Sequence, residues 1–146
     1  MLGVFMAVMD AAVNKRAQHN YGMKNGHSPD AKGVLCVDFD ATIVPWGPLF
    51  NTEAQALPGA VDAINELWDS GWQIVIFTSR LSPSWHKHSG EKGNVQRKYV
   101  QDTLKRLGIP YSKITAEKVP AEAYIDDRAI EFTGDNWPQI AERILG

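Results

Sequence analysis

The chain has 146 residues, 44% of them hydrophobic and 22% charged, with a formal net charge of −2. That length and composition fit one ordinary globular domain, long enough for a real core. So small a net charge offers no global field to nucleic acid or anionic membrane. No apolar stretch approaches a membrane span, and a single cysteine, Cys36, rules out an internal disulfide.

Met1 to Met9 is apolar, but no basic residue precedes it and Asp10 cuts it short. This argues against a secretory signal. Together with a lone cysteine inside an apolar strand, it points to the cytoplasm. Residues 2–18 fit an amphipathic helix with Val4, Phe5, Val8, Met9, Ala12 and Val13 near one face. Residues 14–32 turn polar, with Ser28-Pro29-Asp30 as a turn signal, and read as a loop. Two uses of the helix compete: packing on its own domain, or docking on another subunit of a homo-oligomer. Met23 is an alternative start. Residues 1–32 are therefore set apart from a domain at 33–146.

Gly33 to Val37 is apolar and partly β-branched, without alternation, and reads as a strand buried on both faces. Residues 59–70 read as a helix with Ala60, Ile64, Leu67 and Trp68 on its apolar face, ended by Gly71. Gln73 to Phe77 is a second buried strand, closed by Thr78-Ser79-Arg80. A loop over 81–94 carries His86, Lys87, His88 and Lys92. Residues 95–107 form a helix stopped by Gly108 and Pro110, then short strands follow at 112–115 and 123–125. The last helix starts near Trp137-Pro138, with Asp135 or Asn136 as its cap. Trp68 and Trp72 are expected in the core, and Trp137 against the last helix. Such alternation predicts an α/β fold: a Rossmann-like three-layer α/β/α sandwich with a parallel sheet.

Ligands in such sheets bind beyond the carboxyl ends of the strands. Asp38 and Asp40 stand at the first such end, Thr78 and Ser79 at the second, Asp126 and Asp127 at the last. In extended backbone, residues two apart point to the same side. Two carboxylates there repel unless a cation lies between them or one holds a proton. A hard cation such as Mg²⁺ prefers oxygen ligands. Acids converging beside a hydroxyl and a lysine suit phosphoryl transfer, since a divalent cation and a lysine offset the substrate's charge.

The motifs Asp38-Phe39-Asp40-Ala41-Thr42, Thr78 after Ile74-Val-Ile-Phe, a lysine, and Tyr124-Ile-Asp126-Asp127 occur in that order. In these the chain resembles the haloacid dehalogenase superfamily of phosphatases, over about residues 33–137. The resemblance implies Asp38 as nucleophile and Asp40 as the acid and base. It implies Thr78 as a ligand of the phosphoryl group and Thr42 as support of the first loop. It implies Mg²⁺ held by Asp38, the Asp40 carbonyl and Asp126, with Asp127 behind. Lys118 is chosen as the phosphate-binding lysine, ahead of Lys113 and Lys98. One departure is Ala41, where the family usually has glycine. A response-regulator receiver uses similar groups, but its phospho-acceptor Asp in mid-chain has no counterpart after the second strand here.

The stretches from Thr42 to Thr78 and from Thr78 to Asp126 leave no room for a folded cap, so the site is expected to be open. Ser79 and Arg80 are candidates to contact substrate. With His86, Lys87 and His88, Arg80 has two readings: a second phosphate or nucleic-acid backbone site, or a solvated polar loop. Trp46 is placed to stack on a base or an aromatic ring. The expected activity is a Mg²⁺-dependent phosphomonoesterase acting on a nucleotide, a polynucleotide end or another phosphorylated molecule. The alternatives are a phosphotransferase with the same site, or a catalytically silent phosphate-binding module.

Overall fold

The computed structural model describes residues 32–89 and 93–146. The expected helix over 2–18 and all but the last residue of the loop over 14–32 lie outside the described residues. Four strands, β1 (Gly33–Asp38), β2 (Trp72–Phe77), β3 (Lys113–Thr115) and β4 (Ala123–Ile125), form one sheet in the order β3-β2-β1-β4. All three pairings are parallel, with Cys36 opposite both Val75 and Tyr124. The chain is thus an α/β fold on a parallel sheet. β2 and β3 build outward on one side of β1, and β4 lies on the other. The order therefore reverses between β1 and β4, which opens a crevice at their carboxyl ends.

β1 and β2 are buried on both faces, as their unbroken apolar runs require, while the edge strand β4 is exposed. Leu35, Val37, Ile74 and Ile76 point to one face, where Ile64 and the pair Val100 and Leu104 close over them. Those residues come from helices α1 (Ala60–Asp69) and α3 (Gly93–Leu107). Val34, Cys36 and Val75 point the other way, against Val119 of the segment before β4. Each such side chain contributes about 1.5–3 kcal/mol by leaving water. Truncating fully buried Ile76 to Ala would cost about 2–5 kcal/mol. Gly33 is required at the start of β1. Its φ of 148° is a backbone region that side chains rarely adopt, and the Glu122 carboxylate accepts the Val34 N–H beside it.

Between Thr42 and Thr78 the chain holds only a loop, α1 and β2, so no domain is inserted there. α3 ends as expected: Gly108 takes φ 71°, and Ile109 N–H reaches back to the Leu104 carbonyl at 2.9 Å. Among the described residues, no helix is long and apolar enough to cross a membrane.

Three expectations are corrected. The loop over 81–94 contains a helix, α2 (Pro83–Ser89). Its cause is local: Ser82 accepts the Trp85 N–H at 3.2 Å and Pro83 opens the first turn. Trp68 is 37% exposed rather than core, since a side chain that large is rarely covered completely. Before the last helix, α4 (Trp137–Leu145), Asn136 holds the cap position without capping. Its side chain turns back instead, accepting from Thr133 N–H and donating to the Glu131 carbonyl, both at 2.9 Å. Trp137 stays largely exposed, its ring against Phe132.

Candidate functional site

β1 ends at Asp38 and β4 runs directly into Asp126-Asp127, so parallel pairing of these strands delivers three carboxylates to one crevice. Asp38, Asp126 and Asp127 each present an oxygen, all within 4.8 Å of one another. Oxygen donors alone, at this spacing, suit a hard divalent cation. With no cation between them the charges conflict. Burial first, then a hydrogen bond shared with Asp127, push Asp38 from 3.8 up to about 7; a bond from Phe39 N–H pulls down, and the charges of Asp126 and Asp127 push up again. Thr42 donates its hydroxyl to Asp38 Oδ2 at 3.3 Å, and Arg128 N–H donates to Asp126 Oδ1 at 2.8 Å.

Asp40 does not share this cluster. The same-side rule holds only for extended backbone, and the strand stops at Asp38. Phe39 O then accepts the N–H groups of Ile43 and Val44, and Ala41 N–H donates to Val44 O. This tight loop swings Asp40 toward Arg80. Arg80 Nε and Nη2 hold its two carboxylate oxygens at 2.8 Å each. The two carboxylates are therefore split: Asp40 has a guanidinium, and Asp38 has the other two acids. Ala41 takes φ 58° in this loop, the left-handed region where glycine costs nothing and alanine costs about 1–2 kcal/mol.

Arg80 is a second correction. It is 4% exposed and is committed, not open to substrate. Its Nη1 donates to Leu49 O at 2.5 Å and Gln96 Oε1 at 3.1 Å. Its guanidinium lies over the Tyr99 ring, 4.9 Å from the centroid. Gln96 went unnoticed in the sequence. It is fully buried on α3, one polar residue in the stripe that continues to Val100 and Leu104, and that interruption was its one available signal. Thr78 is also buried, at 1% exposure, its hydroxyl accepting the Arg80 N–H. Ser79, not Thr78, lines the cavity beside the carboxylates.

That cavity, of about 320 Å³, brings together Asp38, Asp40, Asp126 and Asp127 with Ser79 and Trp46. A larger one, of about 560 Å³, is also lined by Asp38 and Asp126 and includes Cys36, Tyr124 and Lys118. Lys118 therefore shares a wall with the acids, its ammonium 5.1 Å from the Tyr124 ring centroid. Lys98 is on α3, ion-paired with Asp102 at 2.6 Å, and Lys113 opens β3 at the strand end away from the acids. Burial, followed by the charges of Asp126 and Asp38, pushes the Cys36 thiol up to about 11, which removes it as a nucleophile. The His86 ring meets the Arg80 carbonyl at 3.2 Å; the side chains of Lys87 and His88 lie outside the described residues, as does Lys92.

No family model and no curated protein matches the chain. Among solved structures it is similar to the conserved protein coded by locus from Bacteroides thetaiotaomicron, at 18% identity and a TM-score of 0.49, over 75% of this chain and 90% of that one. A likeness of that degree says nothing of activity.

Proposed function

We propose that the chain is a Mg²⁺-dependent phosphomonoester hydrolase of the haloacid dehalogenase type, with Asp38 as its nucleophile. The observation that carries this reading is the meeting of Asp38, Asp126 and Asp127 within 4.8 Å at a strand-order reversal, with Asp40 held beside them. Asp38 attacks phosphorus, the ester P–O bond breaks, and Asp40, having taken up a proton as the substrate binds, passes it to the leaving oxygen. Water then attacks the aspartyl-phosphate while Asp40 takes its proton, releasing inorganic phosphate and restoring Asp38. Mg²⁺, held by Asp38, Asp126 and Asp127, would offset the repulsion between carboxylate and phosphate. Arg80 fixes where Asp40 points. Each carboxylate oxygen has a second lone pair, so the ion pair leaves Asp40 able to accept a proton. Lys118 supplies positive charge from the neighbouring cavity.

The test is turnover of an aryl phosphate with and without Mg²⁺, by the native chain and by Asp38→Asn. Turnover that requires Mg²⁺ and disappears in Asp38→Asn, with the circular dichroism spectrum retained, is the expected result. Substantial turnover in Asp38→Asn would refute the nucleophile.

A further inference from the structure

We infer that the leaving group of the ester carries a planar aromatic ring that stacks on Trp46. The inference rests on the phosphomonoesterase reading and adds the class of substrate. Trp46 is 64% exposed, yet it lines the same 320 Å³ cavity as Asp38, Asp40 and Asp127. Of the exposed tryptophans described, Trp68 and Trp137 do not. The backbone that carries the ring is held. Val44, two residues before it, is buried and hydrogen-bonded to Phe39 and Ala41. Pro45 and Pro48 fix the backbone angles on either side.

Two further aromatic residues, Phe77 and Trp85, line the same cavity. The Arg128 guanidinium lies 5.6 Å from the Trp46 ring centroid and faces the same space. A flat apolar group entering beside Trp46 would therefore meet aromatic surface and the guanidinium that lies over the Trp46 ring, with its phosphate toward Asp38. The volume matters too. At about 320 Å³ the space holds a phosphate and one ring system, the lower end of small-molecule sites. Base-on-aromatic stacking of this kind is tolerant of ring identity, so the shared chemistry is the π-face and not a particular base.

The experiment compares two phosphonates of matched shape, benzylphosphonate and cyclohexylmethylphosphonate, binding to the full chain with Mg²⁺ by calorimetry. Phosphonates are not hydrolysed, so turnover is not needed. Trp46→Ala should weaken benzylphosphonate by about 5- to 150-fold and the saturated compound far less, while Trp46→Phe keeps most of the aromatic preference. Equal losses for both compounds, or no loss for either, would overturn the inference and leave the phosphatase reading standing. If neither phosphonate binds the native chain, the phosphatase reading fails and the inference falls with it. A phosphonate analogue of adenosine monophosphate separates the sources: a larger Trp46→Ala loss than for benzylphosphonate assigns a nucleobase, and a smaller one assigns a single ring.

Discussion

Replacing Arg80 by Met keeps the length and apolar stem of the side chain and removes its charge and donors. Asp40, whose side chain is 13% exposed, would lose both 2.8 Å partners, and the Leu49 carbonyl and Gln96 Oε1 would each lose a donor. Breaking a buried pair from one side costs about 3–5 kcal/mol, because the remaining charge stays out of water. The exposed edge of Asp40 lets water return, so the cost should fall at the lower end, about 3 kcal/mol. Equilibrium urea unfolding reads this as a lower midpoint at unchanged slope. Asp40→Asn removes the orphaned charge, so the double variant should be less destabilised than the sum of the single ones, by about 1 kcal/mol or more. A loss below about 1 kcal/mol for Arg80→Met, or strict additivity of the two changes, would show that the pair does not hold the loop, contrary to the reasoning here.

Ala41→Gly should raise stability by about 0.5–1 kcal/mol, the left-handed strain removed less the extra entropy of the unfolded glycine; a lower urea midpoint would show that Ala41 is not strained. In metal-free buffer, native Asp38 keeps its proton up to about 7, while the unfolded chain loses it near 3.8. The native state then binds more protons across that window, so stability should fall as pH rises from about 4 to about 7 and level off above. A cation must displace that proton, so the rise in Tm given by Mg²⁺ should grow from pH 6 to pH 8, and a shift independent of pH would count against Asp38 as a ligand. By the same logic Asp38→Asn should be more stable than the native chain at pH 8 without metal, read as Tm.

Much of this was legible because it is local. β1 declares itself through five consecutive apolar residues, and Asp38, Asp126 and Asp127 sit where strands end. Parallel pairing then brings them together with no further information. The stop of α3 at Gly108 was legible for the same reason, since a positive φ calls for glycine there. Ser82-Pro83 was an available cap signal for α2 that the run of charged residues masked. Arg80 was not legible. Its partners lie 40 residues back, at Asp40, and 16 ahead, at Gln96. A lone arginine after a strand reads as solvated or substrate-facing until those contacts exist. Thr78 and Ser79 exchange places for a related reason. Which of two adjacent hydroxyls faces the cavity depends on where the backbone turns, and the turn at Ser79–Leu81 opens just after buried Thr78, leaving Ser79 exposed.

The division between Asp38 and Asp40 gives the site its logic. Two acids two positions apart would both face one cation if the strand continued, and both would then be ligands. The strand instead breaks at Phe39. The break is held by the Phe39 carbonyl, which accepts from Ile43 and Val44, and by burial of Phe39, Ile43 and Val44. Positive φ at Ala41 is tolerated because these contacts over-determine the loop. One acid is thereby left among like charges, which favours a cation beside it. The other receives a fixed guanidinium and stays at the edge of the same cavity. A nucleophile that needs its charge offset and a proton carrier that needs a fixed direction are different demands on the same side chain. On the phosphatase reading, the loop would meet both by sending two carboxylates, two positions apart, to different partners.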